Sequence, residues 1–379
     1  MTFFKLTQFL NALEPIVVKL SGRITAENSG VLSAVFDEQN NISADSEAVI
    51  DADELSYISS AGLRVLISAQ KKYGCVRMEN VNDAVYDIMS VTGMTEIMTV
   101  TKRLKELSVE GLPLLGKGGT AAVYRLDEDR IIKVFSEHID FRTVLNEQRA
   151  CRSALKAGIA TAIPYELARV GKCCASVTEL VNSSTLTEKL MTEPEKRDEN
   201  IGRYVELVTG LNEIKVSEPD FKSMKSHYLG MTEYVREYLT EQEYICFTGM
   251  INNIPNGSGF VHGDCHTGNI MSQGDELLLI DMATAGYGHW FFELFCIYFT
   301  YGLVAKMSDP EQSLGLSREI CAEVWKKALD GYQEKYPDED WKNMEHKCEA
   351  YAKLKMLLST LPEREMAKAA EPILKQLSS

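Results

Sequence analysis

The segment His262-Gly263-Asp264-Cys265-His266-Thr267-Gly268-Asn269 sets an Asp and an Asn five residues apart, and an apolar run then ends in Leu278-Leu279-Ile280-Asp281. These are residue types that phosphoryl transfer requires. A carboxylate orients the attacking hydroxyl, and hard oxygen ligands hold the Mg²⁺ that bridges phosphate oxygens and neutralises developing charge. On this reading Asp264 faces the acceptor hydroxyl, while Asn269 and Asp281 hold metal. Asp and Asn also cap ordinary turns, but a turn does not account for a third oxygen group at the end of the following strand. His262 reads as a loop-orienting residue. His266 stands between a phosphate contact and a plain loop histidine.

A glycine-rich segment lies upstream, Gly116-Lys117-Gly118-Gly119-Thr120-Ala121-Ala122-Val123-Tyr124. Alone it is weak evidence, because turns between strands often contain glycine. It gains meaning from Ile131-Ile132-Lys133-Val134 on the next expected strand, which fits the pattern in which a strand lysine reaches the ATP phosphates. Gly116, Gly118, Gly119 and Lys133 are therefore expected around the nucleotide phosphates. Glu147, in Val144-Leu145-Asn146-Glu147-Gln148-Arg149, is the natural ion-pair partner of that lysine, although an exposed helical Glu would read the same. Val177-Thr178-Glu179-Leu180-Val181 is strand-like and stands where a nucleotide-binding lobe would join the next. Backbone groups near Glu179 and Val181 are in place for adenine, and an ordinary strand explains the same letters.

These residues need elements to position them. From Pro15 to Val100, strand-length apolar runs (Ile16–Leu20, Ala48–Ile50, Cys75–Met78, Ile97–Val100) alternate with helical faces carrying Leu63, Leu66 and Ile67, or Val85, Ile88 and Met89. That alternation predicts an α/β sheet layered with helices. Polar Lys102–Glu106 reads as a junction, so one domain is placed at 1–106 and a second at 107–379. The second opens with strands Ala122–Leu126 and Arg130–Phe135, a helix over Arg142–Ala157 and a strand Ala175–Val181. Helical periodicity over 186–250 and a mostly helical C-terminal hundred residues follow.

Composition narrows the function classes. With 379 residues, two domains are expected. A net charge of −15 lacks the cationic excess of a nucleic-acid binder. The nine cysteines form no C-x-x-C pair, so neither a zinc site nor a disulfide framework is indicated and a reducing cytoplasm is the expected setting. Met1–Leu10 has no secretory pattern. Trp290–Ala305 is interrupted by Glu293 and is too short to span a bilayer, so it predicts a buried helix.

Residues from about 112 to 300 resemble the aminoglycoside phosphotransferase and choline kinase group, whose catalytic loop commonly reads His-Gly-Asp-x-His-x-Gly-Asn, as at 262–269. The resemblance implies a two-lobed α+β kinase-like domain, an N-lobe at about 107–181 and a largely helical C-lobe at about 182–379. It makes Asp264 the catalytic base, Asn269 and Asp281 the Mg²⁺ ligands, and Lys133 the nucleotide-phosphate lysine. Ala121 near the usual third loop glycine and Met282-Ala283 after the metal Asp are departures, the latter away from protein kinases. The implied activity is transfer of the ATP γ-phosphoryl group to a hydroxyl of a small-molecule acceptor. The 186–250 span and the C-terminal helices are expected to wall the acceptor pocket. Acidic Glu293, Asp338, Glu339 and Asp340 would suit an amine-bearing acceptor or form solvated helix surface.

The N-terminal region resembles the STAS domain of anti-sigma-factor antagonists through Leu20-Ser21-Gly22-Arg23-Ile24, Ile50-Asp51-Ala52-Asp53 and Tyr57-Ile58-Ser59-Ser60-Ala61-Gly62-Leu63-Arg64-Val65-Leu66. That family is switched by phosphorylation of a serine before Gly-Leu, and Ser60 holds that place, where a helix N-terminus favours a phosphate. Ser59 replaces the usual acid and Ala61 a frequent hydroxyl; a simple N-cap is the plainer role. A regulatory protein partner for this domain is implied. Two other readings remain at this point: a signalling switch in which the kinase region phosphorylates Ser60 or a partner, and a nucleotide-binding scaffold without catalysis.

Overall fold

A computed structural model describes residues 6–9, 16–37 and 47–360. The chain divides into two compact units, Met1–Glu106 and Leu107–Ser379.

The first unit is a five-stranded sheet in chain order, Leu6–Phe9, Ile16–Ile24, Glu47–Ile58, Cys75–Val81 and Thr99–Lys102. The first pair is antiparallel and the other three pairs are parallel. Parallel neighbours need crossovers, which helices Ser29–Asp37, Ser60–Tyr73 and Asp83–Val91 supply. Val76, Met78 and Val81 bury one face of the fourth strand, and Leu63 and Leu66 bury the inner face of the helix behind it. Gly62 marks a close approach, since a Cβ there would lie 2.7 Å from Ile24 Cγ2. Ile97 differs from expectation: it ends the short helix Met94–Ile97, and the last strand starts at Thr99.

The second unit begins with an antiparallel sheet in which Leu114–Lys117, Ala121–Arg125, Arg130–Phe135, Cys173–Glu179 and Pro164–Val170 are successive neighbours. Helix Phe141–Lys156 packs against it. The expected helical span 186–250 is four helices, Leu186–Thr192, Arg197–Leu211, Met224–Tyr234 and Glu241–Asn253. Thr185 caps its start and Ser223 and Thr240 interrupt it as N-caps, each accepting a backbone N–H one turn on. Two small sheets follow: the hairpin Ile270–Gln273 with Glu276–Leu279, and Gly259–Val261 antiparallel to Gly286–Gly288. Helices Phe291–Tyr298, Arg318–Lys335 and Met344–Thr360 share one continuous apolar core with the earlier helices. Trp290–Ala305 is buried as expected, but its α-helix gives way to a π-helix at Phe299–Val304. Among the described residues no helix is long and apolar enough to cross a membrane.

Candidate active site

The loop carrying Asp264 runs between strand Gly259–Val261 and strand Ile270–Gln273. Its polar backbone is held by side chains from distant helices. Glu293 is fully buried and accepts the His262 N–H at 2.5 Å and the Gly263 N–H at 3.2 Å. Lys355 Nζ donates to the Gly263 carbonyl at 2.8 Å, and Tyr204 OH donates to the Cys265 carbonyl at 2.7 Å. Tyr301 OH accepts the Thr267 N–H at 2.7 Å and donates to Thr267 Oγ1 at 3.0 Å. Gly263 has φ +77, and a Cβ there would meet the Thr284 carbonyl oxygen at 3.1 Å, so glycine suits both the backbone angle and the space.

Both loop histidines act as braces. His262 is fully buried, and burial lowers its proton affinity. The neutral ring then donates from Nε2 to the Ile280 carbonyl at 3.1 Å and accepts the Asp264 N–H on Nδ1 at 3.3 Å. His266 Nδ1 accepts the Gly268 N–H at 3.1 Å, and its Nε2 lies 4.0 Å from Asp264 Oδ2. Asn269 Nδ2 donates to the Asp264 carbonyl at 3.0 Å and lies 3.4 Å from Asp264 Oδ2. The Asp264 side chain is 40% exposed.

Asp281 closes the group. The Ile280 N–H donates to the Asn269 carbonyl at 2.9 Å, which ties the end of the hairpin to the 262–269 loop. Asp281 itself is left-handed at φ 60, ψ 67, a conformation rare outside glycine and tolerated best by Asp and Asn. The turn it opens, Met282–Thr284, packs against helix Phe141–Lys156. That contact brings three charges together: Lys133 Nζ lies 2.8 Å from Glu147 Oε1 and 3.3 Å from Asp281 Oδ1. Burial works against the lysine's charge, but Glu147 and Asp281 outweigh it and raise its proton affinity. Burial, helped by repulsion from Asp281, raises Glu147 against the pull of Lys133.

Two carboxylates around one ammonium leave a negative excess that a cation would neutralise. Among the described residues there is no group of three or more His, Cys, Asp or Glu able to hold a metal. Asn269 and Asp281, the expected ligands, would form a two-oxygen set. Such a set suits Mg²⁺, which usually takes one or two protein oxygens and completes its shell with water and substrate phosphates.

The glycine loop lies as expected between strands Leu114–Lys117 and Ala121–Arg125, with Gly116, Gly118 and Gly119 exposed and the Gly118 N–H bonded to the Ala121 carbonyl at 2.8 Å. Glu179 ends its strand. Its N–H donates to the Ile163 carbonyl at 2.9 Å and its carboxylate accepts the Ile163 N–H at 3.1 Å. The Val181 carbonyl accepts the Ser183 N–H at 2.9 Å. In the first unit Ser60 is exposed at the first position of its helix, and Ser59 is the N-cap, accepting the Gly62 N–H at 3.4 Å.

Sequence reasoning missed the loop's clamps, and it read Glu293 as an acceptor contact or helix surface. The fold buries that residue and spends its carboxylate on backbone amides, whereas Asp338, Glu339 and Asp340 are exposed. A signal was present: one acid inside an apolar helix has to find buried donors. Nothing comparable marks Lys355, Tyr204 or Tyr301.

A family model described as "Phosphotransferase enzyme family" matches residues 112–341, and one described as "Mlab, STAS domain" matches residues 8–115. Among solved structures, the ADP-bound aminoglycoside phosphotransferase APH(2'')-Ib is 14% identical, covering 71% of this chain and 92% of its own, with a TM-score of 0.46. The gentamicin complex of APH(2'')-IIa is 15% identical, covering 78% and 97%, with a TM-score of 0.48. No curated protein matches the chain.

Proposed function

Since the chain belongs to the phosphotransferase enzyme family, we propose that it moves the γ-phosphoryl group of ATP onto a hydroxyl of a small-molecule acceptor. The observation that carries this reading is the Lys133–Glu147–Asp281 group at 2.8 and 3.3 Å, set beside a loop that presents Asp264 and Asn269. The glycine loop and Lys133 bind the nucleotide phosphates, and backbone groups at Glu179 and Val181 meet the base. Asn269 and Asp281 would hold Mg²⁺, which when bound screens the charge on the phosphate oxygens. Asp264 accepts a hydrogen bond from the acceptor hydroxyl and takes its proton as the new oxygen–phosphorus bond forms. The bond from the γ-phosphorus to the bridging oxygen of ADP breaks, and ADP leaves with that electron pair.

Asp264→Asn keeps the shape and removes the base. We expect turnover to fall roughly 10²–10⁴-fold with the ATP affinity kept, measured by ADP release and nucleotide titration. Full activity in this variant would sink the assignment.

A second reading is favoured by the exposed position of Ser60 at a helix start: the kinase unit phosphorylates the STAS domain or a partner protein. Intact-mass measurement after incubation with Mg²⁺ and ATP tests it. A phosphoryl gain that is lost in Ser60→Ala and in Asp264→Asn supports phosphorylation of the STAS domain, and no gain alongside ATP binding points to a small-molecule or separate protein acceptor, which a substrate screen distinguishes.

A further inference from the structure

The contacts that reach the Asp264 carboxylate are long, 3.4 Å from Asn269 Nδ2 and 4.0 Å from His266 Nε2. Its aim is therefore set by its backbone. The Asp264 carbonyl is held firmly, by Asn269 Nδ2 at 3.0 Å and by the His266 N–H at 2.9 Å. The peptide unit on its other side is more vulnerable. That unit joins Asp264 to Gly263, which stands at φ +77, and glycine leaves an adjoining peptide freer to rotate than any other residue does. A rotation of this unit would turn the Asp264 side chain with it.

Two groups hold the unit, one at each end. The Asp264 N–H donates to His262 Nδ1 at 3.3 Å, long for such a bond, and the Gly263 carbonyl accepts from Lys355 Nζ at 2.8 Å. The lysine end is the stronger, being shorter and having a charged donor. Lys355 is itself well fixed. It stands one turn beyond Tyr351 on helix Met344–Thr360. Tyr351 packs edge-on against Phe291 with ring centres 5.0 Å apart, and its OH donates to the Met250 carbonyl at 2.6 Å. The Lys355 ammonium lies 3.3 Å from Cys296 Sγ and 4.9 Å from the centre of the Phe299 ring, a favourable place for a cation. Burial works against its charge, but Cys296, Asp264 and Glu293 outweigh it. Lys355 lies outside residues 112–341, the stretch that matches the phosphotransferase family.

We infer that Lys355 is a positioning residue for phosphoryl transfer: its charged donor locks the Gly263–Asp264 peptide and so aims the Asp264 carboxylate at the acceptor hydroxyl. The inference deepens the proposed function and rests on it for the role of Asp264. Small errors of aim are costly in such a reaction, because correct placement of the reacting groups supplies much of the rate. A clamp that only added stability would secure the loop as a whole, whereas a peptide lock acts on one amide.

The full chain and its Lys355→Met variant are titrated with ADP and Mg²⁺, with and without aluminium fluoride, whose tetrafluoroaluminate ion stands for the phosphoryl group in transfer. We expect ADP to bind both alike and the aluminium fluoride complex to be weakened about tenfold in Lys355→Met. Amide hydrogen exchange locates the cause. The Asp264 amide is expected to exchange about tenfold faster in the variant, while the Gly263 and Thr267 amides, held by Glu293 and Tyr301, keep their wild-type rates. Lys355→Gln keeps a donor without the charge; it is expected between the two and carries the test if Lys355→Met does not fold. Unchanged exchange at Asp264, equal acceleration of all three amides, or an unweakened aluminium fluoride complex overturns the inference. A wild type that binds ADP no more tightly with aluminium fluoride overturns the transfer reading instead, and the exchange at Asp264 then decides alone whether Lys355 locks the peptide.

Discussion

Lys133 shows what a single residue contributes when its partners are fixed. It is 17% exposed and Glu147 12% exposed in their ion pair, so removing the lysine leaves the Glu147 carboxylate buried without compensation. Lys133→Met is expected to cost about 3 kcal/mol of stability and most of the ATP affinity, while Lys133→Met with Glu147→Leu regains much of the stability and none of the affinity. Chemical denaturation and nucleotide titration separate the two effects. Glu293 gives a pH signature. Burial lifts its carboxyl from 4.5 to about 7 even though two backbone amides favour the anion. The folded state therefore holds this proton more tightly than the unfolded chain does. The stabilisation is complete below about 4.5 and is lost as the pH rises through about 7. Thermal unfolding between pH 5 and 8 is expected to show the wild type losing stability with rising pH relative to Glu293→Gln; a constant difference between the two would refute it.

At the level of elements, the π-helix Phe299–Val304 deserves a direct test, because such irregular turns often accompany functional sites. It delivers Tyr301 to the Thr267 N–H. Tyr301→Phe leaves that buried donor unpaired, and a loss of about 1–3 kcal/mol is expected by thermal denaturation, with turnover reduced. The elements also show what a sequence can disclose. Arg130–Phe135 and the helix over Phe141–Lys156 were readable because local apolar periodicity alone dictates them. That the 262–269 loop and Asp281 belong together was readable from residue type and spacing, and the fold does bring them side by side. The clamps were not. Lys355 and Tyr301 meet the loop only after the chain has folded back, and one Lys or Tyr within a helix carries no mark of its destination. The π-turn was equally hidden, since its letters fit an α-helix.

At the scale of the whole molecule there are two units with separate cores, one built on Leu66 and Met78 and the other on the helices around Phe291. Leu66→Ala empties a fully buried position of the first core and is expected to cost about 2–5 kcal/mol there. Hydrogen exchange read unit by unit should place the loss in residues 16–102, and ATP affinity should be unchanged. A loss of affinity would mean that the units are energetically linked. One bond described above also has a temporal side. Lys355 lies 92 residues beyond Gly263, so on the ribosome the loop bearing Asp264 is made well before the lysine that holds it. At typical elongation rates the delay is about 5–20 s. Throughout that interval the nascent chain carries every nominated catalytic residue without the finished loop, so competence for transfer becomes a late event of synthesis, reached only when the final described helix has emerged.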